Sequence, residues 1–175
     1  MAEERSGVVT FKGGPVTLIG TELNQGDVAP EAVLTGTDLS AVHLLGDATG
    51  KAKLVITVPS VDTSVCSLES KKFSDAVKAL DTGNIAVYVV SNDLPFAQKR
   101  WGESEEVDNV TFVSDYRDMN LAHKWGLLVK ELGLFTRAVY VLNADNKVTY
   151  REIVPEIGQE PNYEAAISAV KAAAA

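Results

Sequence analysis

Sulfur is scarce in this chain, which has one cysteine, Cys66, and two methionines. A single thiol cannot close a disulfide within the chain, which excludes disulfide-stapled secreted scaffolds and multi-thiolate zinc sites. Histidine is scarce too: His43 and His123 are the only two, and neither belongs to a His-Glu-x-x-His pattern. A histidine-based metal centre is therefore not supported, and neither a metal nor an organic cofactor is expected. Basic residues are outnumbered, 16 Lys and Arg against 24 Asp and Glu, for a formal charge of −8. With no basic cluster interleaved with aromatics, that balance excludes a nucleic-acid partner. Long apolar runs are missing as well. Ile85 to Val90 is typical, far below the roughly 18 residues that cross a bilayer. The charged start, Met-Ala-Glu-Glu-Arg, has no apolar segment behind it and does not read as a signal peptide. A cytoplasmic protein with no membrane partner is expected.

What remains is an ordinary globular composition, with 46% apolar and 23% charged residues over 175 positions. That length suits one domain spanning residues 1–175 and is enough to bury a core. Val8-Val9-Thr10-Phe11 and Val16-Thr17-Leu18-Ile19 flank Lys12-Gly13-Gly14-Pro15 and predict a β-hairpin. Short strands follow near Ala32 to Leu34 and Val42 to Leu45, with a turn at Gly46 to Gly50. Lys53 to Val58 is a mainly apolar run rather than an alternating one, so it reads as a central strand buried on both faces and stopped by Pro59. Val65, Leu68, Phe73, Ala76, Val77 and Leu80 share one helical face, with Asp62, Thr63 or Ser64 as cap. Ile85 to Val90 is another buried strand, and Pro95 opens a helix to about Ser104. Val110 to Val113 is a strand, Asp118 to Trp125 a short helix, and Ala138 to Leu142 with Lys147 to Tyr150 a second hairpin. A final helix starts at Asn162 or Tyr163. The order β-α-β-α-β-α-β-β-α predicts an α/β protein with a mixed sheet covered by helices, a thioredoxin-like fold preceded by an N-terminal β-hairpin.

Cys66 falls where a buried strand has ended and a helix begins. Unpaired backbone N–H groups and the helix dipole would both favour a thiolate there, the nucleophilic form of cysteine. The other reading is an inert cysteine packed as a small apolar side chain. The local string, Pro59-Ser60-Val61-Asp62-Thr63-Ser64-Val65-Cys66, contains Pro-x-x-x-Thr-x-x-Cys. It resembles the peroxidatic signature of the peroxiredoxins, in the form found in their bacterial thiol peroxidase branch. Asp93-Leu94-Pro95-Phe96-Ala97-Gln98-Lys99-Arg100, Arg137-Ala138-Val139, Val154-Pro155-Glu156-Ile157 and Gln159 to Ala166 resemble later segments of that branch, in the same order. The resemblance spans nearly the whole chain.

The resemblance implies that Cys66 attacks the terminal oxygen of hydrogen peroxide or an organic hydroperoxide, leaving a sulfenic acid. Thr63 would place a hydroxyl beside the sulfur and the peroxide oxygens, or serve simply as a helix cap. Pro59 would shield the sulfur from water, or merely stop the strand. Arg137, on a mostly apolar strand, needs a partner for its charge. A thiolate is one candidate, since it would stabilise the charged sulfur and help hold the peroxide.

One position departs from the pattern. Members of the branch usually carry a resolving cysteine on the helix after Asp-Leu-Pro-Phe, and here the aligned residue is Gly102. An intramolecular disulfide step is impossible, so the resemblance implies reduction by an external thiol, either a thioredoxin-like protein or a small molecule. It also implies a homodimer and a preference for alkyl hydroperoxides. The rival reading is a non-catalytic redox sensor or adaptor that oxidises the same cysteine. His43 and His123 read as surface residues, and Trp101 and Trp125 as packing residues.

Overall fold

The computed structural model describes residues 3–63, 75–80, 83–107 and 110–175. The chain opens with β1 (Glu4–Phe11) and β2 (Gly14–Ile19), an antiparallel hairpin that turns on Lys12 and Gly13. Both turn residues have positive φ, 51° and 80°, as a two-residue turn matched to the strand twist requires. After β3 (Val33–Gly36), β4 (Ala41–His43) and a 3-10 turn (Gly46–Ala48) come the central strands β5 (Ala52–Thr57) and β6 (Ile85–Ser91). Helix α1 (Pro95–Ser104) leads to β7 (Thr111–Ser114) and α2 (Asn120–Lys124). The short strands β8 (Leu128–Val129) and β9 (Leu134–Phe135) precede β10 (Ala138–Leu142), β11 (Val148–Ile153) and α3 (Tyr163–Ala174).

The main sheet has the order β11-β10-β5-β6-β7-β3-β4, parallel at β5-β6-β7 and antiparallel elsewhere. Alternation along the strands divides their apolar side chains between two layers. Leu54, Ile56, Val87, Val89, Val139 and Val141 meet Trp101 of α1 and Ala166 and Val170 of α3. Val55, Tyr88, Val90, Ala138, Tyr140 and Leu142 meet Leu121 of α2, Trp125, Leu127 and Phe135. The expected thioredoxin-like mixed sheet, covered on both faces, is what the chain forms. Trp101 stacks edge-on to Phe112 and Trp125 tilts over Tyr140, so both tryptophans are packing residues. His43 and His123 are exposed.

Helix boundaries follow local chemistry. Leu94 is extended, as a residue before proline must be, and Pro95 starts α1 with no N–H to waste. Asn162 caps α3 by accepting from Ala165 N–H at 3.0 Å. The helix expected to open near Asp62 is helical at residues 75–77, and residues 64–74 lie outside those described. Asp62 and Thr63 themselves lie in a turn. Strands β8 and β9 were not expected. They add two rungs to the N-terminal hairpin, giving the separate sheet β1-β2-β8-β9.

Asp115 caps α2 from outside the helix. Its carboxylate accepts from Ala122 N–H at 2.9 Å, and the nearby Leu121 and Asn120 N–H groups also favour its charged form. Burial nevertheless dominates and raises its pKa from 3.8 to about 6. Because the folded state holds this proton more tightly than the unfolded chain, Asp115 adds stability as pH falls through 6 and loses it as pH rises. Thermal denaturation should show this group contributing on the order of up to 3 kcal/mol more at pH near 4 than near 7. In Asp115→Asn, whose amide oxygen can still accept the N–H groups, that slope should vanish; an unchanged slope would assign it to other groups.

Candidate active site at the carboxyl end of the central strands

Four sequence features were expected to meet: Pro59, Thr63, Cys66 and Arg137. Cys66 lies outside the described residues. The other three are placed by the β5–β10 pairing and the turn that follows β5.

The register pairs Ala138 with Thr57. One step further along both strands stand Arg137 and Val58, just before Pro59. The Thr57 hydroxyl donates to the Thr136 carbonyl at 2.9 Å and ties the strand ends together. Pro59 is buried at the exit from β5 and, as expected, ends the strand. Arg137 is only 1% exposed. Its Nε donates to the Ile157 carbonyl at 2.8 Å, which fixes one edge of the guanidinium. The backbone is held too, since Val154 N–H donates to the Arg137 carbonyl at 3.0 Å. Arg137 is therefore an interior residue rather than a surface one at the strand edge, and a charge here is retained only with partners.

Ile157 is itself anchored to the N-terminal hairpin. Its N–H donates to the Thr10 carbonyl at 2.9 Å, and Thr10 N–H donates to the Pro155 carbonyl at 2.8 Å. The Glu156 carboxylate receives the Gly13 N–H at 2.8 Å and the Thr10 hydroxyl at 3.0 Å. Hydrogen bonds from the Gly158 and Gly13 N–H groups hold the Glu156 pKa below its ordinary value. Through these bonds the hairpin turn supports the carbonyl that orients Arg137.

Thr63 is half-buried, and its hydroxyl donates to the Ser60 carbonyl at 3.3 Å. The turn that carries it is pinned by Asp93, a residue to which sequence reasoning gave no role. The Asp93 carboxylate accepts from the Ser60 hydroxyl at 2.7 Å, from Val61 N–H at 2.8 Å and from the Ser91 hydroxyl at 2.6 Å. Two serines near one acid at strand ends, Ser60 and Ser91, were a visible signal, but nothing in their spacing says which pairs meet.

Gly102 is buried on α1. A Cβ there would stand 3.2 Å from the Phe112 ring, so any larger side chain requires that ring to give way slightly.

A family model described as Redoxin matches residues 24–167. The chain belongs to the redoxin family. Among its relatives, the thiol peroxidase of Listeria innocua is 47% identical over 165 residues, covering 94% of this chain and 98% of that protein. The thiol peroxidase of Staphylococcus aureus strain COL is 48% identical over 164 residues, covering 93% and 97%. A crystal structure of a peroxiredoxin-like protein from Aquifex aeolicus superimposes with a TM-score of 0.89 at 43% identity, over 98% of each chain. Membership in the peroxiredoxins, on the thiol peroxidase side, thus agrees with the motifs around Pro59, Asp93, Arg137 and Val154.

Within this redoxin framework the Arg137 guanidinium offers planar, directional donors that an ammonium lacks. Arg137→Lys should lower the second-order rate of reaction with hydrogen peroxide by at least about ten-fold while leaving a folded protein. Stopped-flow kinetics with circular dichroism on the same samples checks this. Matching rates for variant and parent would return Arg137 to a purely structural role.

Proposed function

We propose that the protein is a thiol-dependent peroxidase in which the 175 residues act as one domain. Cys66 is its nucleophile, and Pro59, Thr63 and Arg137 form its immediate surroundings. The observation that carries the reading is the β5–β10 register, which sets a buried arginine beside the exit of the strand that leads into Pro-x-x-x-Thr-x-x-Cys. Nearly full-length similarity to thiol peroxidases supports turnover over a sensor that is oxidised once.

In the proposed cycle the Cys66 thiolate attacks the terminal oxygen of hydrogen peroxide or an alkyl hydroperoxide. The O–O bond breaks, the sulfur becomes a sulfenic acid, and the remaining oxygen leaves as water or an alcohol after taking up a proton. Arg137 stabilises the thiolate and the charge that develops on the leaving oxygen. The Thr63 hydroxyl orients the peroxide, and Pro59 keeps water from the sulfur.

Because the chain has no second cysteine, an external thiol attacks the sulfenic acid, releasing water and forming a mixed disulfide. A further thiol then frees Cys66. The donor is a small thiol or a thioredoxin-like protein, in a compartment that keeps thiols reduced, the cytoplasm. Among the described residues no helix is long and apolar enough to cross a membrane.

We also propose a homodimer. Leu94 and Phe96, 54% and 66% exposed, follow the end of β6, and Tyr116, 38% exposed, follows the end of β7. Apolar side chains left open there suit an interface beside the site.

Intact-mass spectrometry after one equivalent of peroxide tests the cycle. The monomer should gain one oxygen, then the mass of an added thiol, and finally return to its reduced mass. A Cys66–Cys66 dimer requires two α-carbons within about 7 Å. If such a dimer forms as fast as peroxide disappears, resolution occurs between chains and the external-thiol cycle is wrong.

A further inference from the structure

We propose that Asp93 is a positioning residue for the peroxide reaction, acting through the Ser60–Thr63 turn. The inference rests on the reading above in which the Thr63 hydroxyl orients the peroxide.

Asp93 follows β6 by two residues, just where the parallel strands deliver their ends to the site. One carboxylate oxygen takes the Ser60 hydroxyl at 2.7 Å. The other takes both Val61 N–H, at 2.8 Å, and the Ser91 hydroxyl, at 2.6 Å. The two Asp93 bonds to residues 60 and 61 clamp the start of the turn to β6. The turn then closes on itself: Asp62 N–H donates to Ser60 Oγ at 3.1 Å, and the Thr63 hydroxyl donates to the Ser60 carbonyl at 3.3 Å. The orientation of the Thr63 hydroxyl therefore depends on Ser60, and Ser60 is held by Asp93.

Asp93 is fixed from behind. Its carbonyl receives the Ser114 hydroxyl, and its N–H donates to Ser91 Oγ at 3.3 Å. Gln98, fully buried on α1, gives one side-chain N–H bond to Ser91 Oγ at 3.0 Å and another to the Val113 carbonyl at 2.9 Å. Since Ser91 Oγ accepts from Gln98, its own proton is free to point at Asp93. Likewise Ser60 Oγ accepts from Asp62 and sends its proton to Asp93. Every hydrogen in the cluster has one consistent direction, and that direction requires an acceptor-only group at position 93. An asparagine would turn two donor hydrogens toward one of these partners and lose at least one bond. The cluster joins β6, β7 and α1 to the turn, so Thr63 is held against three packed elements rather than by its own loop.

A double-mutant cycle tests the coupling, using hydrogen peroxide and reduced protein in stopped flow. Asp93→Asn should slow the reaction by at least about ten-fold, whereas adding it to Thr63→Val should change the rate by less than about two-fold. Alkylation of Cys66 by iodoacetamide needs no hydroxyl to hold a peroxide, and its rate should stay within about two-fold of the parent in Asp93→Asn. Ser60→Ala, which removes the same latch from its other end, takes the place of Asp93→Asn in the cycle if that variant does not fold. Additive losses, an unchanged peroxide rate in Asp93→Asn, or alkylation that falls alongside the peroxide rate would each overturn the inference. A parent protein inert to peroxide would instead remove the peroxidase reading, and with it any role for Asp93 in that reaction. Equal rates for the parent and Thr63→Val would remove the role of Thr63 and this inference together.

Discussion

The antiparallel pairing of β10 with β5 is the constraint on which the site depends. A shift of that register by one residue would exchange the two faces of β10. Val139 and Val141 would leave the layer under α3, and Ala138, Tyr140 and Leu142 would leave the opposite one. Both layers are filled, so the register is specified by packing on each side. Arg137, immediately before β10, is thereby carried to the end of β5 where the Pro59 turn departs. The hydrophobic core pays for placing a guanidinium in the interior, where an isolated charge would be expelled.

Two braces then refine what the sheet positions coarsely. On one side the N-terminal hairpin holds the segment 154–157 through Thr10, Gly13 and Glu156, and Ile157 offers its carbonyl to Arg137. On the other, Asp93 fastens the turn after β5 to the end of β6. Both braces include charge-assisted hydrogen bonds, the stronger kind, at Glu156 and Arg137 on one side and at Asp93 on the other. They connect parts of the chain far apart in sequence, so local sequence patterns carry little trace of them.

That distance also decides what could be read in advance. The mainly apolar, non-alternating stretch from Leu54 to Val58 announced a strand buried on both faces, and Pro95 announced the start of α1, because each signal is local. The strands at Leu128–Val129 and Leu134–Phe135 could not be read, since two residues show no alternation. Lys53, buried in β5, also breaks its apolar pattern. Its ammonium reaches the Lys51 carbonyl at 2.9 Å, and burial lowers its pKa. For the proposed site, Pro59, Thr63 and Arg137 are candidates read from the motifs, whereas the Ile157 carbonyl that receives Arg137 and the Asp93 hydrogen bonds to the turn emerge only from tertiary structure. Gly102 was legible in a different way. The absence of a second cysteine is a covalent fact that no folding alters, and it directs the proposed cycle to an external thiol.

The proposed peroxidase chemistry depends on the state of one sulfur. In the proposed site, the buried Arg137 would favour the thiolate of Cys66, as would the helix start that the sequence predicts there. The most direct measurement is the pH dependence of Cys66 alkylation by iodoacetamide, made on the reduced protein. The predicted profile has its midpoint well below the ordinary thiol value of about 8.5 and leaves a plateau at neutral pH. A midpoint at or above that value would contradict the account, because Cys66 would then be mostly protonated at neutral pH.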